Sequence, residues 1–276
     1  MAADGFGSVW RMFTDGNDET YFIRRLDYDD HSQALEIIQS EMYCNPIFNA
    51  INFRSDAMYP EECSIAMFMA NHMKQNRNTV FGCYLGRTNC LVGIDMMYKH
   101  NINAPPKKIS GNACQHYLKF VKFVERNLRY GGATKRVSFL TSLGMFLKPK
   151  YRNAGFEEHM LTVRLMYAKK YRIRFIGGAF SGESIQRIAY KLKFRDLKPS
   201  KVEITEENAE ENDLGYLCGA GILPIKLLAA TKVYRNEDWS PIRRQRRRCQ
   251  VTEPASQAPS TSYSSASDLF SQSHFH

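Results

Sequence analysis

The order of the predicted elements indicates an α+β fold, with a mixed, mostly antiparallel sheet of six or seven strands and helices on both faces. The front half is predicted as a strand, two helices and a hairpin, with Gly86-Arg87-Thr88-Asn89 as the hairpin turn. The back half is predicted as strand, helix, strand and helix, which is typical of a βαβ unit. Because a hairpin gives an antiparallel pair and a βαβ crossover gives a parallel pair, the sheet should be mixed.

In the front half, the expected elements are separated by recognisable start and stop residues. Asp29 or Asp30 can cap the first helix, and Asn45-Pro46 ends or kinks it. Pro60-Glu61-Glu62 has the proline and the acids that favour a first helical turn. The elements are, in order, a strand at 21–26, a helix to about 42, a helix after 60, and strands at 79–85 and 90–98.

The back half begins with an inserted helix that runs from about Tyr117 to Leu128 and stops at Gly131-Gly132. Ser181 or Ser184 is the expected cap of the last helix. The remaining elements are a strand at 139–147, a helix to about 170, a strand at 172–180, a helix at 185–192, and strands around Val202, Tyr216–Ile222 and Leu227–Tyr234.

Composition indicates one folded domain between two less regular ends. We expect an arm at 1–19, a domain at 20–235 and a tail at 236–276. Of the 276 residues, 43% are apolar and 24% are charged, which is typical of a globular protein. The tail is rich in arginine and then in Ser, Pro, Gln and Thr, so it cannot build a core and should be disordered.

Charge and cysteine content narrow the classes of partner and compartment. The net charge is +10, and a basic protein suits polyanionic ligands such as a coenzyme or nucleic acid. The run Arg243–Arg248 is either a nuclear-import signal, a nucleic-acid patch or only a solvated tail. No aromatic residues interleave with it, so we do not expect base stacking. Seven scattered cysteines without Cys-x-x-Cys indicate reduced thiols, and no signal peptide or membrane helix is predicted. We expect a soluble protein of the cytoplasm or nucleus that does not bind nucleic acid.

The most informative segment is a tight turn between an apolar strand and a helix. Phe139–Leu147 leads into Lys148–Arg152, and Gly155 precedes a run that is apolar at helical spacing. Backbone N–H groups converge at such a helix start, and the helix dipole favours negative charge. Glycine lets the backbone approach a phosphate closely, and arginine adds charged donors. The turn is therefore a candidate pyrophosphate site.

This turn and the element order resemble those of the GCN5-related N-acetyltransferases. Arg152–Glu157 is similar to the family signature Arg/Gln-x-x-Gly-x-Gly/Ala, and the lead-in Leu147–Arg152 is similar to apolar-x-Pro-x-Tyr-Arg. Lys191–Phe194 resembles the family's Lys-Leu-Gly-Phe, and Tyr21–Ile47 resembles the opening of the invertebrate arylalkylamine N-acetyltransferases. The resemblance covers about residues 20 to 235 and implies the mixed sheet of that family.

The resemblance implies an acetyl-CoA-dependent N-acetyltransferase that acts on a small primary amine, without a metal. The backbone of the turn would hold the pyrophosphate, with Arg152 beside it, and the backbone near Leu147 would bind the acetyl carbonyl where two strands separate. The amine would attack the thioester directly, with one group accepting its proton and another protonating the thiolate. The residues that the resemblance assigns to acetyl-CoA are Leu147, Arg152, Asn153, Ala154, Gly155, Phe156, Glu157 and Ser184.

The acetyl-CoA motif is degenerate at its last position, where Glu157 replaces glycine or alanine. A carboxylate about 4 Å from a phosphate charge costs roughly 1 kcal/mol when it is fully solvated and about 4 kcal/mol at an effective dielectric constant near 20. Its effect therefore depends on whether the side chain turns to solvent.

Two further departures concern proton transfer. Asn45 stands before Pro46 where the invertebrate enzymes have a glutamate, which leaves Glu41, one turn earlier, as the candidate base or else as a solvated surface acid. Lys193 replaces the glycine of the family's Lys-Leu-Gly-Phe. Tyr190 lies one residue from the position at which many relatives have a tyrosine as general acid, so Tyr190 is either a candidate acid or a packed tyrosine. The sequence therefore leaves two alternatives to a small-amine enzyme: a degenerate binding module with weak or no CoA binding, and a protein N-acetyltransferase.

Overall fold

The computed structural model describes residues 8–53, 56, 63–99, 111–130, 139–152, 154–197 and 203–231, all within a unit formed by residues 1–239. Its strands are β1 (Arg11–Thr14), β2 (Thr20–Arg25), β3 (Val80–Leu85), β4 (Cys90–Lys99), β5 (Phe139–Leu147), β6 (Phe175–Ser181), β7 (Arg195–Asp196), β8 (Glu203–Ile204) and β9 (Ile225–Thr231). Its helices are α1 (His31–Cys44), α2 (Pro46–Ile51), α3 (Ser64–Gln75), α4 (Asn112–Tyr130), α5 (Phe156–Lys170), α6 (Glu183–Lys191) and α7 (Glu206–Ala209).

The strands form one mixed sheet in the order β1-β2-β3-β4-β5-β6-β9-β7, and β8 also pairs with β9. Of the strand pairs, β5 with β6 is parallel, and the others described are antiparallel. The prediction of a mixed, mostly antiparallel sheet with helices is confirmed. The described sheet has nine strands rather than six or seven, and it includes β1 and the two-residue strand β7, which were not expected. The two-residue strand β8 begins directly after Val202, around which a strand was predicted.

Strand β1 corrects the expectation of a loose arm at the N-terminus. It pairs with β2 from Arg11 opposite Ile23 to Thr14 opposite Thr20. Trp10, just before the strand, is buried in the core, with its ring 5.5 Å from that of Phe81. Burial of this large ring, together with the strand pairing, fixes the segment to the sheet.

The predicted strand at Tyr216–Ile222 is wrong. A 3₁₀ turn occupies Gly215–Leu217, and irregular chain follows it. Gly219 and Gly221 have φ angles of 71° and 67°, which no β-strand contains. The expected features at Pro60–Glu62, Gly131-Gly132 and Val202, the last residues of the predicted strand to Tyr234, and the tail lie outside the described residues.

The helices cover both faces of the sheet. An apolar cluster on one face contains most buried residues of α5 together with Ala189 of α6. A second cluster, on the α1 side, joins buried residues of α1, α2 and α3 with the first half of α4. A third joins the second half of α4 to β6 and β9. The described helices are not long and apolar enough for any of them to cross a membrane.

The pairing of β5 with β6 is short, and this decides the shape of the sheet centre. The two strands pair at only three positions, from Phe139 opposite Phe175 to Thr141 opposite Gly177. Beyond that point β5 continues along β4 to Leu147, and β6 continues along β9 to Ser181. The sheet therefore opens between the two strands.

A β-bulge in β5 accompanies this opening. Met96 lies opposite Gly144 and Met97 lies opposite Ser142, so Leu143 is the extra residue. Gly144 has a φ of 146°, a conformation that favours glycine. The Tyr117 hydroxyl of α4 donates a hydrogen bond to the Leu143 carbonyl and fixes the bulge from one face of the sheet.

We predict that Gly93→Ala destabilises the β4–β5 pair that carries this bulge. A Cβ at Gly93 would lie 3.0 Å from the Phe146 carbonyl oxygen and would collide with the Leu147 side chain. Overpacking of this kind costs about 1–3 kcal/mol. Urea denaturation should show this loss, whereas Gly16→Ala, where a Cβ meets open space, should leave the unfolding midpoint near its original value. Equal midpoints for the two variants would contradict the predicted close approach of β4 and β5.

Candidate active site

The turn after β5 has an exposed backbone and an open helix N-terminus. A 3₁₀ turn at Pro149–Tyr151 is followed by Gly155, which has a φ of 86° and is the N-cap of α5. Ala154 and Gly155 are exposed, and a Cβ added at Gly155 would meet no atom within 4 Å. The first-turn N–H groups of a helix have no acceptor within that helix. This geometry fits a phosphate group, although Asn153 lies outside the described residues.

Phe156 anchors the turn through its side chain. It is buried, and its ring packs edge-on against the rings of Tyr21 and Tyr151 at centroid distances of 4.7 and 5.3 Å. Phe156 was expected to contact acetyl-CoA, and because its ring is buried, only its backbone can make that contact. The buried ring holds the start of α5 against β2, so the direction of the helix axis at the turn is fixed.

The opening between β5 and β6 forms a cavity of about 260 Å³, which we call the inter-strand cavity. It is lined by residues 141–146 of β5, 179–181 of β6, side chains of α2 and α4, and Glu157, Leu161 and Arg164 of α5. The strands separate as the sequence analysis expected. However, Leu147 does not line the cavity and instead lies in the apolar cluster beneath α5. The part of β5 that faces the cavity is the bulge and its neighbours.

A second cavity of about 500 Å³ adjoins the first. Asn45, Ile47 and Ser181 line both cavities. The other walls of the second cavity come from the start of α6, from β8 and from the loop at 221–224. Its charged lining residues are Glu183, Glu203 and Lys226. Two cavities thus meet at the end of β6 and the start of α2.

Glu157 is directed inward rather than toward solvent. Its side chain lines the inter-strand cavity, and one of its carboxylate oxygens is buried. Glu157, Leu161 and Arg164 follow each other at helical spacing, so one face of α5 supplies all three to the cavity. A carboxylate in this position opposes negative charge at the helix start more strongly than a solvated one would.

Arg152 makes contacts that the sequence did not suggest. Its Nε donates a hydrogen bond to the Leu147 carbonyl at 3.2 Å, and its Nη2 forms an ion pair with Glu41 of α1. The Glu41 side chain is only 8% exposed, so it is not a solvated surface acid. Burial raises the pKa of Glu41, and the positive charge of Arg152 opposes this rise. The turn and the end of α1 are therefore connected by a partly buried ion pair.

The structure does not bring the other two predicted residues to the cavities. The Tyr190 hydroxyl donates to Asp196 at 2.9 Å, and burial together with this bond raises the pKa of Tyr190 to about 12. Ser184 is exposed in the first turn of α6, where Gly182 is the N-cap. Neither residue lines either cavity, and the same is true of Glu41.

A buried ion pair beside the inter-strand cavity was missed by the sequence analysis. Arg164 of α5 donates from Nε to Asp95 of β4 at 2.7 Å and also donates from Nη2 to the other carboxylate oxygen. The sequence signals that could have indicated this pair were a single acidic residue inside an apolar strand and a single arginine inside an apolar helix. Among the described residues, no three His, Cys, Asp or Glu side chains come together as a metal site.

Comparison with solved structures reveals a common fold at low sequence identity. A protein assigned as arylalkylamine N-acetyltransferase 7 of the yellow fever mosquito Aedes aegypti matches with a TM-score of 0.70, 15% identity, and coverage of 84% of this chain and 98% of that chain. The C-terminal condensation domain of Ebony, in complex with beta-alanyl-dopamine, matches at 0.60 and 13%, covering 76% and 98%. A Drosophila melanogaster polyamine N-acetyltransferase matches at 0.54 and 12%, covering 76% and 99%.

The chain has the GCN5-related N-acetyltransferase fold. One of the solved structures named above is an arylalkylamine-type protein of an insect, the group that the resemblance in the sequence implied. No protein-family sequence model matches the chain, and no curated protein is similar to it in sequence. At 12–15% identity the fold is shared, while the residues of the site have to be judged from their own geometry.

We predict that removing Arg152 makes the stability of the protein more sensitive to pH. The folded-state pKa of Glu41 is raised, so the stability from this group is present at low pH and is lost as the pH rises through the folded pKa. Arg152→Ala removes the opposing charge, which should extend that loss to higher pH. Urea denaturation at several pH values above about 4.5 would measure the effect.

Glu41→Gln combined with Arg152→Ala is the matched control, because it removes the titrating group. The double variant should lose the additional pH dependence that Arg152→Ala shows alone. If the double variant and Arg152→Ala have the same pH profile, the ion pair does not control Glu41.

Proposed function

We propose that the protein transfers an acetyl group from acetyl-CoA to the primary amine of a small molecule. The observation that carries this proposal is the meeting of two cavities at Asn45, Ile47 and Ser181. One cavity lies between separated strands on the sheet side of α5, and the other opens beside α2 and β8. Such an arrangement can hold two substrates so that their reacting ends meet, which is the main requirement for direct transfer.

On the donor side, the exposed backbone at Ala154 and Gly155 and the first turn of α5 would hold the phosphates. Acetyl-CoA would supply the acetyl thioester that reacts. Beyond Thr141, the edge of β5 that faces β6 has no strand partner, so its polar backbone groups can bind a ligand chain in the inter-strand cavity. Arg152 supports this site by fixing the turn, since its guanidinium is already held by Glu41 and the Leu147 carbonyl.

On the acceptor side, the second cavity has two carboxylates, Glu183 and Glu203, and one ammonium group, Lys226. A small excess of negative charge favours an amine, which arrives as a cation. The structurally similar proteins include enzymes whose names specify arylalkylamines, agmatine and polyamines, which supports a small amine as the acceptor class.

A degenerate module that keeps this fold and binds CoA poorly is the second candidate function. The inward position of Glu157 favours it, because a carboxylate at the helix start repels the phosphates that the turn would otherwise attract. The two candidates differ in a measurable property, namely donor binding.

We predict that Glu157→Ala and Glu157→Gln both tighten acetyl-CoA binding. A cost of about 1 to 4 kcal/mol corresponds to a gain of between roughly fivefold and a thousandfold in affinity. Isothermal titration calorimetry would measure the dissociation constants, and Glu157→Gln separates the effect of charge from that of volume. If the affinity is unchanged in both variants, Glu157 does not oppose the phosphates. If neither the unaltered protein nor the variants bind at millimolar acetyl-CoA, the degenerate module is correct.

The acceptor class can be tested by thiol release from acetyl-CoA with three groups of acceptors: arylalkylamines, aliphatic diamines and peptides with a free N-terminus or lysine. The proposal expects release with the small amines. Release with peptides alone would support a protein N-acetyltransferase instead.

A further inference from the structure

The buried ion pair between Asp95 and Arg164 is difficult to explain by stability alone. The two residues are 1% and 5% exposed and lie among apolar side chains of β4, β5 and α5. Transfer of two charges from water to such a place is costly, and apolar residues of similar volume commonly stabilise a protein as well or better. A buried arginine at the wall of a cavity therefore indicates a role in ligand binding or catalysis.

The position of the guanidinium is set by its partner. Asp95 lies directly opposite Met145 in the β4–β5 pair, and Met145 is the residue after Gly144 of the bulge. Because Arg164 binds Asp95 through Nε and Nη2, its guanidinium lies at the level of this bulge. Met145, Gly144 and Arg164 all line the inter-strand cavity. Glu157 lies about two helical turns before Arg164, on the same face of α5.

One nitrogen of the guanidinium is available to a ligand. Asp95 accepts from Nε and Nη2, and among the described residues none accepts a hydrogen bond from Nη1. A side-on pair of this kind fixes the plane of the guanidinium, so the direction of the remaining donors is fixed as well. The cavity thus has a charged, oriented donor beside the bulge where the strands have separated.

We propose that Arg164 donates a hydrogen bond from Nη1 to the carbonyl oxygen of the acyl thioester, and that Asp95 is the residue that positions it. This inference rests on the proposed acetyl transfer. The amine arrives as an ammonium ion and first gives one proton to water. Its nitrogen then forms a bond to the carbonyl carbon, the carbon–sulfur bond breaks, the nitrogen gives a second proton to water, and the thiolate takes one proton from water. Arg164 transfers no proton. Its hydrogen bond strengthens as negative charge develops on the oxygen, which lowers the barrier.

The test compares a variant that removes the donor with variants that disturb only its surroundings. Arg164→Met alone leaves Asp95 buried without its partner and can unfold the protein, so Asp95→Leu combined with Arg164→Met is the main variant. Asp95→Asn keeps the arginine but weakens its positioning. Leu165→Met, which makes a volume-conserving change at a buried residue of the same helix that lines neither cavity, is the matched control. Urea denaturation verifies that each variant is folded.

The first readout is the rate of acetyl transfer. The double variant should keep its dissociation constant for acetyl-CoA within a few-fold and lose about 10²- to 10³-fold in kcat, which is the usual effect of removing one oxyanion donor. Asp95→Asn should lose less, and Leu165→Met should change kcat by only a few-fold.

The second readout requires no turnover. With acetyl-CoA labelled by carbon-13 at the carbonyl and no amine present, binding to the unaltered protein should shift the carbonyl resonance downfield, because the arginine polarises the bond. The double variant should bind the same donor without this shift.

These outcomes separate the inference from the proposed function. If the unaltered protein transfers acetyl groups and the double variant has an equal kcat and an equal carbonyl shift, the role of Arg164 is wrong while the transfer activity stands. If the unaltered protein neither binds nor transfers, the proposed function is wrong, and this inference falls with it.

Discussion

The separation of β5 from β6 after three paired residues is the feature on which the rest of the site depends. Beyond that point each strand remains paired on its other side, β5 with β4 except at the bulge residue Leu143, and β6 with β9 to Ser181. The space between the two halves of the sheet is therefore bounded on both sides by hydrogen-bonded strands. Backbone groups that would have joined the strands instead face a cavity, where only a ligand or water can satisfy them. The helix that covers this gap, α5, begins at the candidate phosphate site.

Charge in this region includes two ion pairs. Arg152 connects the turn to Glu41 of α1, and Arg164 connects α5 to Asp95 of β4. Both arginines are thus held by carboxylates from neighbouring elements, which restricts their side chains. Glu157 brings a further carboxylate to the inter-strand cavity, which Arg164 also lines. The carboxylate of Glu157 would repel the phosphates of an acetyl-CoA bound here. Binding is therefore weakened by this repulsion unless the backbone N–H groups of the turn supply most of the affinity.

The sequence predicted the fold because local patterns and tertiary structure agree over most of the chain. The hairpin turn at 86–89, the strand at 139–147 and the glycine before α5 are all local signals, and each lies where it was expected. The contacts within the candidate site could not be predicted in this way, because they join distant segments. Glu41 and Arg152 are 111 residues apart in sequence, and Asp95 and Arg164 are 69 apart. No spacing rule covers such pairs, and Tyr190 shows that one helical step is enough to direct a side chain elsewhere.

The most direct test of the account is a crystal structure of the protein grown with millimolar acetyl-CoA. We expect the pantetheine chain of acetyl-CoA to lie in the gap between β5 and β6, with the thioester beside Gly144 and Met145 and the pyrophosphate at the start of α5. Acetyl-CoA bound at another surface, or a gap that holds no ligand in these crystals, would contradict this expectation.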